Sequence, residues 1–387
     1  MGVSSYKIDP TSDFNYPEQC ILWYAICQTA LTISAAPFFA RSRHARDTLC
    51  ADIFMLFEEL NVTTKTSLNV AELLTKLATD STFPSLPELH ALSDLNRQEE
   101  ADVRHFWVTI PEDRRYRVIE ELVEASETEI SLLLGRLLRV ALGDESTRVR
   151  ILAVAGLWEE TDESLIGPLL DLLHNDPAEE VRAAVAAALG AYVLAGELDE
   201  IDPAQAMRVE EALLAILHSD TEPISVQCRA LESIAYSGEM GVRQLIDDGY
   251  YSPYDEMRVS ALTAMGRSAD IRWRDAAQAE LVSPEAAIRA AAAWACGELE
   301  HRDALGDLFN LLADEEKEVR LAVLFALGHI GGKDAIEVLS SAATSEDEEE
   351  AAAAEDALED SLFFGDSDIP LFDESETEWD EETDDEW

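Results

Sequence analysis

The stretch Asp314-Glu315-Glu316-Lys317-Glu318-Val319-Arg320-Leu321-Ala322-Val323-Leu324-Phe325-Ala326-Leu327-Gly328 decides the fold, because its pattern returns along the chain. A residue type that caps helices opens the pattern, an apolar residue and Arg follow, and Gly closes it. The dipeptides at this Arg position lie 31 residues apart over the last four units, and they are Val226-Gln227, Met257-Arg258, Ile288-Arg289 and Val319-Arg320. A fixed spacing of this size is typical of a stacked array of repeats.

Alignment on this position gives six units, with Arg150, Arg182, Gln227, Arg258, Arg289 and Arg320 as corresponding residues. Six residues earlier stand Asp144, Asp176, Thr221, Ser252, Ser283 and Asp314. All six are N-cap types, and Pro177, Pro253 and Pro284 follow three of them, as suits a first helical turn. The pattern predicts that the second helix of each unit starts at this cap. The longer interval from Arg182 to Gln227 predicts an insertion of 14 residues near 191–204.

Two further features describe the second helices. Eight residues after the aligned position come Gly190, Gly266, Gly297 and Gly328, which we expect to end the helices because Gly adopts a positive φ at no cost. Alanine-rich runs such as Ala290-Ala291-Ala292-Ala293 would let neighbouring helices approach closely. The preceding helices carry an ordinary amphipathic pattern and would form an outer layer.

Two-helix units with Asp-x-x-x-x-Val-Arg at the start of the second helix resemble HEAT repeats, particularly the short bacterial type named after the phycobilin lyases. The motif occurs as Asp144 to Arg150, Asp176 to Arg182 and Asp314 to Arg320. The resemblance implies an all-α fold, namely an α-solenoid in which antiparallel helix pairs form a right-handed superhelix. It also implies a protein-interaction scaffold, which is the common role of the family.

The pattern divides the chain into five segments. They are residues 1–54, an atypical extension that is disordered or precedes a true start at Met55; 55–129, a helical capping region; 130–345, HEAT-like repeats; 346–360, a degenerate capping helix; and 361–387, an acidic disordered tail. A membrane anchor in the apolar run from Ile21 to Ala40 is the alternative interpretation of the first segment. Polar residues and Pro37 interrupt that run, so we expect no membrane association.

Charge and cysteine content bound the function classes. The chain has 28 Lys and Arg against 80 Asp and Glu, a net charge of −52, which would repel a nucleic-acid backbone. We therefore expect a protein partner, with a basic one favoured, and no nucleic acid. The cysteines, which form no CxxC pair, are Cys20, Cys27, Cys50, Cys228 and Cys296. Free thiols without metal favour a cytoplasmic location, and the sequence leaves the oligomeric state open.

Two enzymatic families within the resemblance are the rival class. Proteins of the deoxyhypusine hydroxylase type hold iron through repeated His-Glu dipeptides, and this sequence contains no such dipeptide. The histidines that recur near a common repeat position, His174 and His218, are interpreted as surface residues at helix ends. A phycobilin lyase subunit would need a groove for a tetrapyrrole, to which no set of residues points. We expect no catalytic residues, no metal and no cofactor.

Candidate binding residues are aromatic. Trp294 and Phe325 stand five residues after the aligned Arg of adjacent units, where they either bind a partner or pack between helices. The acidic C-terminal region interleaves further candidates with carboxylates, namely Phe363, Phe364, Phe372, Trp379 and Trp387. The repeated arginines would bind anions or, as we favour, pair with cap carboxylates and loop carbonyls of adjacent repeats.

Overall fold

The computed structural model describes residues 69–129, 131–157 and 161–364, and these ranges contain helices and turns but no strand. Eighteen α-helices lie in this part of the chain. In chain order they are α1 Val70–Thr79, α2 Leu86–Leu89, α3 Arg97–Phe106, α4 Glu112–Ser126, α5 Gly135–Ala141, α6 Thr147–Ala155, α7 Ile166–Asn175, α8 Glu179–Glu197, α9 Pro203–Leu217, α10 Ile224–Ile234, α11 Met240–Tyr250, α12 Asp255–Arg267, α13 Arg274–Glu280, α14 Ala286–Glu298, α15 Leu305–Leu311, α16 Lys317–Ile330, α17 Lys333–Ala342 and α18 Glu348–Phe364.

The helices form an α-solenoid of two-helix repeats that begins at α3. Odd-numbered helices from α3 onward are the first members of the pairs, and even-numbered helices are the second members. Two compact units divide the chain between Ala264 and Met265, and each is described by itself. In the first unit α8 packs against α6 and α10, and in the second α16 packs against α14 and α18.

The second helices form the core of each unit. In α14, all eight residues from Ala290 to Gly297 are buried, so this helix is covered on every side. The first helices bury one stripe only, as α7 does with Ile166, Leu169 and Leu173. This difference follows from composition, because small alanine side chains fit between close neighbours, whereas an amphipathic helix faces water on one side.

The prediction that the repeated glycines end the second helices is wrong. Gly297 and Gly328 lie inside α14 and α16, where a Cβ on Gly297 would stand 2.7 Å from Ala326 Cα. A Cβ on Gly328 would likewise stand 2.8 Å from the carbonyl oxygen of Ala357. These positions therefore require Gly because consecutive second helices touch there. Gly190 and Gly266 are also helical, inside α8 and α12.

The residues with a left-handed backbone conformation come after the repeated glycines and follow the ends of the second helices. Three residues after the repeated glycines come Ala269 with φ 49°, Glu300 with φ 45° and Gly331 with φ 63°. After α8 the corresponding residue is Asp199, with φ 58°. Two of the four are Ala and Glu, so the chain accepts backbone strain at these turns that Gly would relieve.

The predicted cap residues lie two positions before the N-cap residues of the helices. Asp144 Oδ1 accepts the N–H of Ser146 at 2.7 Å, and Asp314 Oδ1 accepts that of Glu316 at 3.0 Å. Ser146 and Glu316 are themselves the N-cap residues of α6 and α16. The aspartates thus fold the turn before the helix, as Asx turns do, and the predicted helix starts were too early.

The longer interval between Arg182 and Gln227 is taken up by helices. α8 has 19 residues and α9 has 15, so part of the predicted insertion extends α8. At the C-terminal end α18 reaches Phe364, beyond the capping helix predicted at 346–360. Residues 1–54 and the candidates Phe372, Trp379 and Trp387 lie outside the described residues.

Candidate functional site

The repeated arginines bridge consecutive repeats. Arg150 donates from Nε and NH2 to both carboxylate oxygens of Asp176, at 2.7 and 2.8 Å. Its third nitrogen, NH1, donates to the carbonyl oxygens of Asp144 and Glu145 at 2.8 and 3.1 Å. One guanidinium therefore holds the turn of its own repeat and the carboxylate of the next.

The same arrangement recurs in both units. Arg289 donates from Nε and Nη2 to both carboxylate oxygens of Asp314, at 2.8 Å each, and from Nη1 to Ser283 O at 2.9 Å. Arg182 reaches Glu222, and Arg320 reaches Glu350. These guanidinium groups are committed to structural contacts, as are the Asp144, Asp176 and Asp314 carboxylates. Arg258 contacts Asp255 of its own helix, and Gln227 donates to Ser219 O at 2.6 Å.

Sequence reasoning missed one arginine of this series. Arg115 in α4 donates from Nε to Asp144 at 2.7 Å and from NH1 to Ile110 O at 2.6 Å. Trp107 Nε1 donates to the same carboxylate at 2.6 Å. The available signal was Thr109, a cap type six residues before Arg115. Burial acts to raise the pKa of Asp144, but hydrogen bonds from Arg115, Ser146 and Trp107 outweigh it and lower that pKa.

Trp294 and Phe325 lie against each other inside the second unit. Their ring centroids are 6.0 Å apart with planes 17° from parallel, and the His329 ring follows at 4.0 Å from Phe325. Trp294 is 4% exposed and Phe325 9% exposed, so both rings are packed between second helices. A Cβ on Gly266 would stand 2.6 Å from the Trp294 ring, which fixes the ring from that side. This geometry favours a packing role, and partner binding at either ring stays a prediction.

A second row of residues at the same 31-residue spacing has titratable side chains: Glu298, His329 and Asp360. His329 Nε2 stands 3.9 Å from Glu298 Oε1, and His329 Nδ1 lies 3.2 Å from the Phe325 carbonyl oxygen. Burial lowers the pKa of His329, with the Asp360 carboxylate opposing that shift. Burial likewise raises the pKa of Asp360, which His329 opposes. Among the described residues, no group of three His, Cys, Asp or Glu side chains is placed to hold a metal ion.

A groove of about 990 Å³ lies among the first helices of the N-terminal repeats. Its basic lining residues are Arg97, Arg104, Arg136 and Arg139. Glu100 pairs with Arg104 at 3.1 Å and approaches Arg136 at 3.4 Å, while Arg139 pairs with Asp162 and Ser164. Three of the four guanidinium groups thus contact a carboxylate, with Glu100 shared between Arg104 and Arg136.

The remaining candidates have ordinary structural surroundings. His174 and His218 are exposed, and each Nδ1 lies 2.6 Å from a carbonyl oxygen one turn earlier. Cys228 and Cys296 are buried free thiols, and burial raises their pKa to about 11 and about 12. Thiols with such pKa values are protonated at neutral pH and unreactive. Phe363 and Phe364 belong to α18. Across the described chain, we find no helix with both the length and the apolar character to span a membrane.

Comparison with solved structures finds likeness at low identity. Human deoxyhypusine hydroxylase in complex with glycerol is 20% identical, with 69% of this chain and 96% of that chain covered and a TM-score of 0.32. Yeast importin-beta (Kap95p) is 12% identical, with 78% and 47% covered and a TM-score of 0.41. An engineered protein is 19% identical, with 76% and 88% covered and a TM-score of 0.34. No curated protein sequence matches the chain significantly. At these TM-scores the likeness carries no argument about function.

The family comparison agrees with the helix pairs. A model of HEAT repeats matches residues 112–208 and 274–359. The first match spans α4 to α8 and the second spans α13 to most of α18. Both contain the arginine bridges between repeats. Residues 112–208 and 274–359 are HEAT repeats.

Proposed function

We propose that the chain is a non-catalytic protein-interaction scaffold whose partner presents a basic surface. The observation that carries this proposal is the division of charge between the arginine bridges and the rest of the chain. The bridging arginines form ion pairs with carboxylates of neighbouring repeats. The whole chain has 80 Asp and Glu against 28 Lys and Arg. The excess charge is therefore carboxylate that the arginines cannot neutralise.

Electrostatics then selects the partner. A net charge of −52 attracts basic protein surfaces over a Debye length of about 8 Å and repels nucleic-acid phosphates. Attraction of this kind raises the association rate and falls as salt is added. A protein partner rather than a nucleic acid follows from this sign, and so does a salt-sensitive interaction.

The tail would add apolar contacts to this attraction. From Glu346 onward the chain has 21 Asp or Glu and no Lys or Arg, with Phe372, Trp379 and Trp387 among them. Aromatic side chains between carboxylates combine a steering charge with anchors that dock in apolar pockets. Cys228 and Cys296 are free thiols, which are typical of reducing compartments and support a cytoplasmic location for this activity.

Affinity purification with mass spectrometry tests the proposal, using the full chain and a chain ending at Phe364. We expect the full chain to retain basic proteins at low salt, to lose them at high salt, and to retain fewer after the truncation. An unchanged set of retained proteins after truncation would show that the tail does not contribute to partner binding. Stoichiometric iron or a bilin absorption band in the purified chain would replace the scaffold proposal with an enzymatic one.

A further inference from the structure

Two tyrosines stand exposed in the turn between α11 and α12. Tyr251 is 78% exposed and Tyr254 is 61% exposed, and the Tyr250 ring meets that of Tyr251 edge-on at 5.0 Å. The turn is held by backbone N–H groups and one hydroxyl, with Tyr251 N donating to Asp247 O at 3.1 Å and Tyr254 N to Ser252 Oγ at 3.3 Å. The exposed rings therefore contribute little to the stability of the turn.

The repeat pattern does not require aromatic residues here. In the other aligned turns, the residues that correspond to Tyr251 are Gly143, Asn175, Asp220, Val282 and Ala313. Those that correspond to Tyr254 are Ser146, Ala178, Pro223, Glu285 and Glu316. The same turn is built with small, polar and charged side chains elsewhere, so the two tyrosines need an explanation other than the fold.

This turn has also lost its bridge between repeats. In the turns that carry Asp144 and Asp176, the carboxylate is held by an arginine of the preceding repeat, Arg115 or Arg150. At the tyrosine turn, Ser252 replaces the aspartate, and Gln227 replaces the arginine of the preceding repeat. Both partners of the ion pair are therefore absent at this turn, which carries the tyrosines.

Exposed carboxylates flank the two tyrosines in the sequence. Asp248, Asp255 and Glu256 are exposed on either side of the turn, and Asp220 is exposed at the corresponding place of the preceding turn. Arg258 pairs with Asp255 at 3.2 Å, which leaves the other three carboxylates in excess. A guanidinium group satisfies both kinds of neighbour, since it stacks on an aromatic face and pairs with a carboxylate in a bidentate manner.

We propose that the turn Tyr250–Tyr254 docks an arginine-bearing segment of the partner protein, with guanidinium groups on the Tyr251 and Tyr254 rings and paired with the adjacent carboxylates. The proposal rests on the proposed function, to which it adds a place and a preference for arginine over lysine. Lysine would satisfy the carboxylates, but its ammonium lacks the planar face that stacks on a ring.

The test measures fluorescence anisotropy of two labelled synthetic peptides on the full chain, one alternating arginine with glycine and one alternating lysine with glycine. We expect tighter binding of the arginine peptide. Y251A/Y254A should weaken the arginine peptide about tenfold, from two exposed cation–π contacts, and should remove the preference over lysine. Y251F/Y254F keeps the ring faces and should retain the preference. V282A, an exposed residue in the corresponding turn, should change neither affinity.

Other outcomes overturn the proposal in distinguishable ways. Equal affinities of the arginine peptide for the wild type and Y251A/Y254A would overturn the docking site but leave the basic-partner scaffold in place. Binding of neither peptide by the wild type would overturn both. The chain has its own basic residues at Arg41, Arg43 and Arg46. Tighter binding of the arginine peptide, but not of the lysine peptide, after R41Q/R43Q/R46Q would make this run the occupant of the turn and overturn the assignment to a partner.

Discussion

Arg289 joins two consecutive repeats through a single side chain. Its Nε and Nη2 donate hydrogen bonds to the two carboxylate oxygens of Asp314 at 2.8 Å each, and its Nη1 donates to the Ser283 carbonyl oxygen at 2.9 Å. The hydrogen bonds from Arg289, the largest influence, lower the pKa of Asp314. The charged pair that recurs in several repeats therefore joins consecutive repeats. Stability, rather than recognition, should respond first when this pair is changed.

The more deeply buried pair should show the larger effect. In Arg150→Ala, the Asp176 carboxylate loses its chelating partner while it stays buried, and we expect a loss of about 3 kcal/mol in unfolding free energy by denaturant titration. Arg150→Ala/Asp176→Ala should cost less than the sum of the single changes. Arg117→Ala breaks the exposed pair with Glu121 and should cost under about 1 kcal/mol. Equal losses for Arg150→Ala and Arg117→Ala would contradict the bridging role.

Gly297→Ala tests the close approach of α14 and α16. The added Cβ would stand 2.7 Å from Ala326 Cα, a backbone atom that cannot turn aside, so we expect a loss of about 1–3 kcal/mol in thermal unfolding. Gly306→Ala in α15 is the matched control, because nothing lies within 4 Å of its added Cβ. That variant should gain up to about 1 kcal/mol from helix propensity. A stabilised Gly297→Ala would show that the helices are further apart.

Ala269→Gly should stabilise the second unit. Ala269 is exposed with φ 49°, a conformation that costs Ala more than Gly, so relief of strain should add about 0.5–1 kcal/mol to the unfolding free energy. Ala279→Gly, at an exposed position inside α13, should instead lose about 0.5–1 kcal/mol. The opposite signs separate backbone conformation from composition, and the same sign for both variants would refute the left-handed assignment.

Asp360→Asn should raise the melting temperature at neutral pH. Burial raises the pKa of Asp360 above its usual 3.8, so ionisation costs more in the folded chain than in the unfolded one. That cost is present above the unfolded pKa and vanishes below it, where both states are protonated. The gain from Asp360→Asn should therefore shrink as the pH falls through the raised folded pKa, and it should be absent below about 4. Glu355→Gln, an exposed change of equal charge, is the control for general repulsion. A gain that is independent of pH would contradict the role of burial.

The repeat and its helix pairs could be predicted from the sequence, and particular residues show why. The fixed spacing of Arg289 and Arg320 reports a unit that must stack on its copies, so the helix pairs could be predicted. The role of Gly297 could not, because its contact is with a residue of the next repeat rather than with its own helix end. Arg115 escaped alignment because the residue before it is Arg114 rather than an apolar residue, and its interval to Arg150 is 35.

The candidate site was less accessible from sequence. Trp294 and Phe325 are buried whereas Tyr251 is exposed, and the ring type does not determine this difference. Burial of the first two depends on how closely the second helices pack, which the glycines control. Tyr251 is exposed because its position in the turn faces solvent, as the corresponding Val282 also does.

The most direct measurement is thermal melting and partner capture on the same Arg289→Ala protein, with capture at a temperature where the variant is folded. If the arginines join the repeats and the carboxylates and tyrosines bind the partner, the melting temperature should fall because the unfolding free energy drops by about 2 kcal/mol. The set of captured proteins should stay the same. An unchanged melting curve together with loss of the captured proteins would contradict this account.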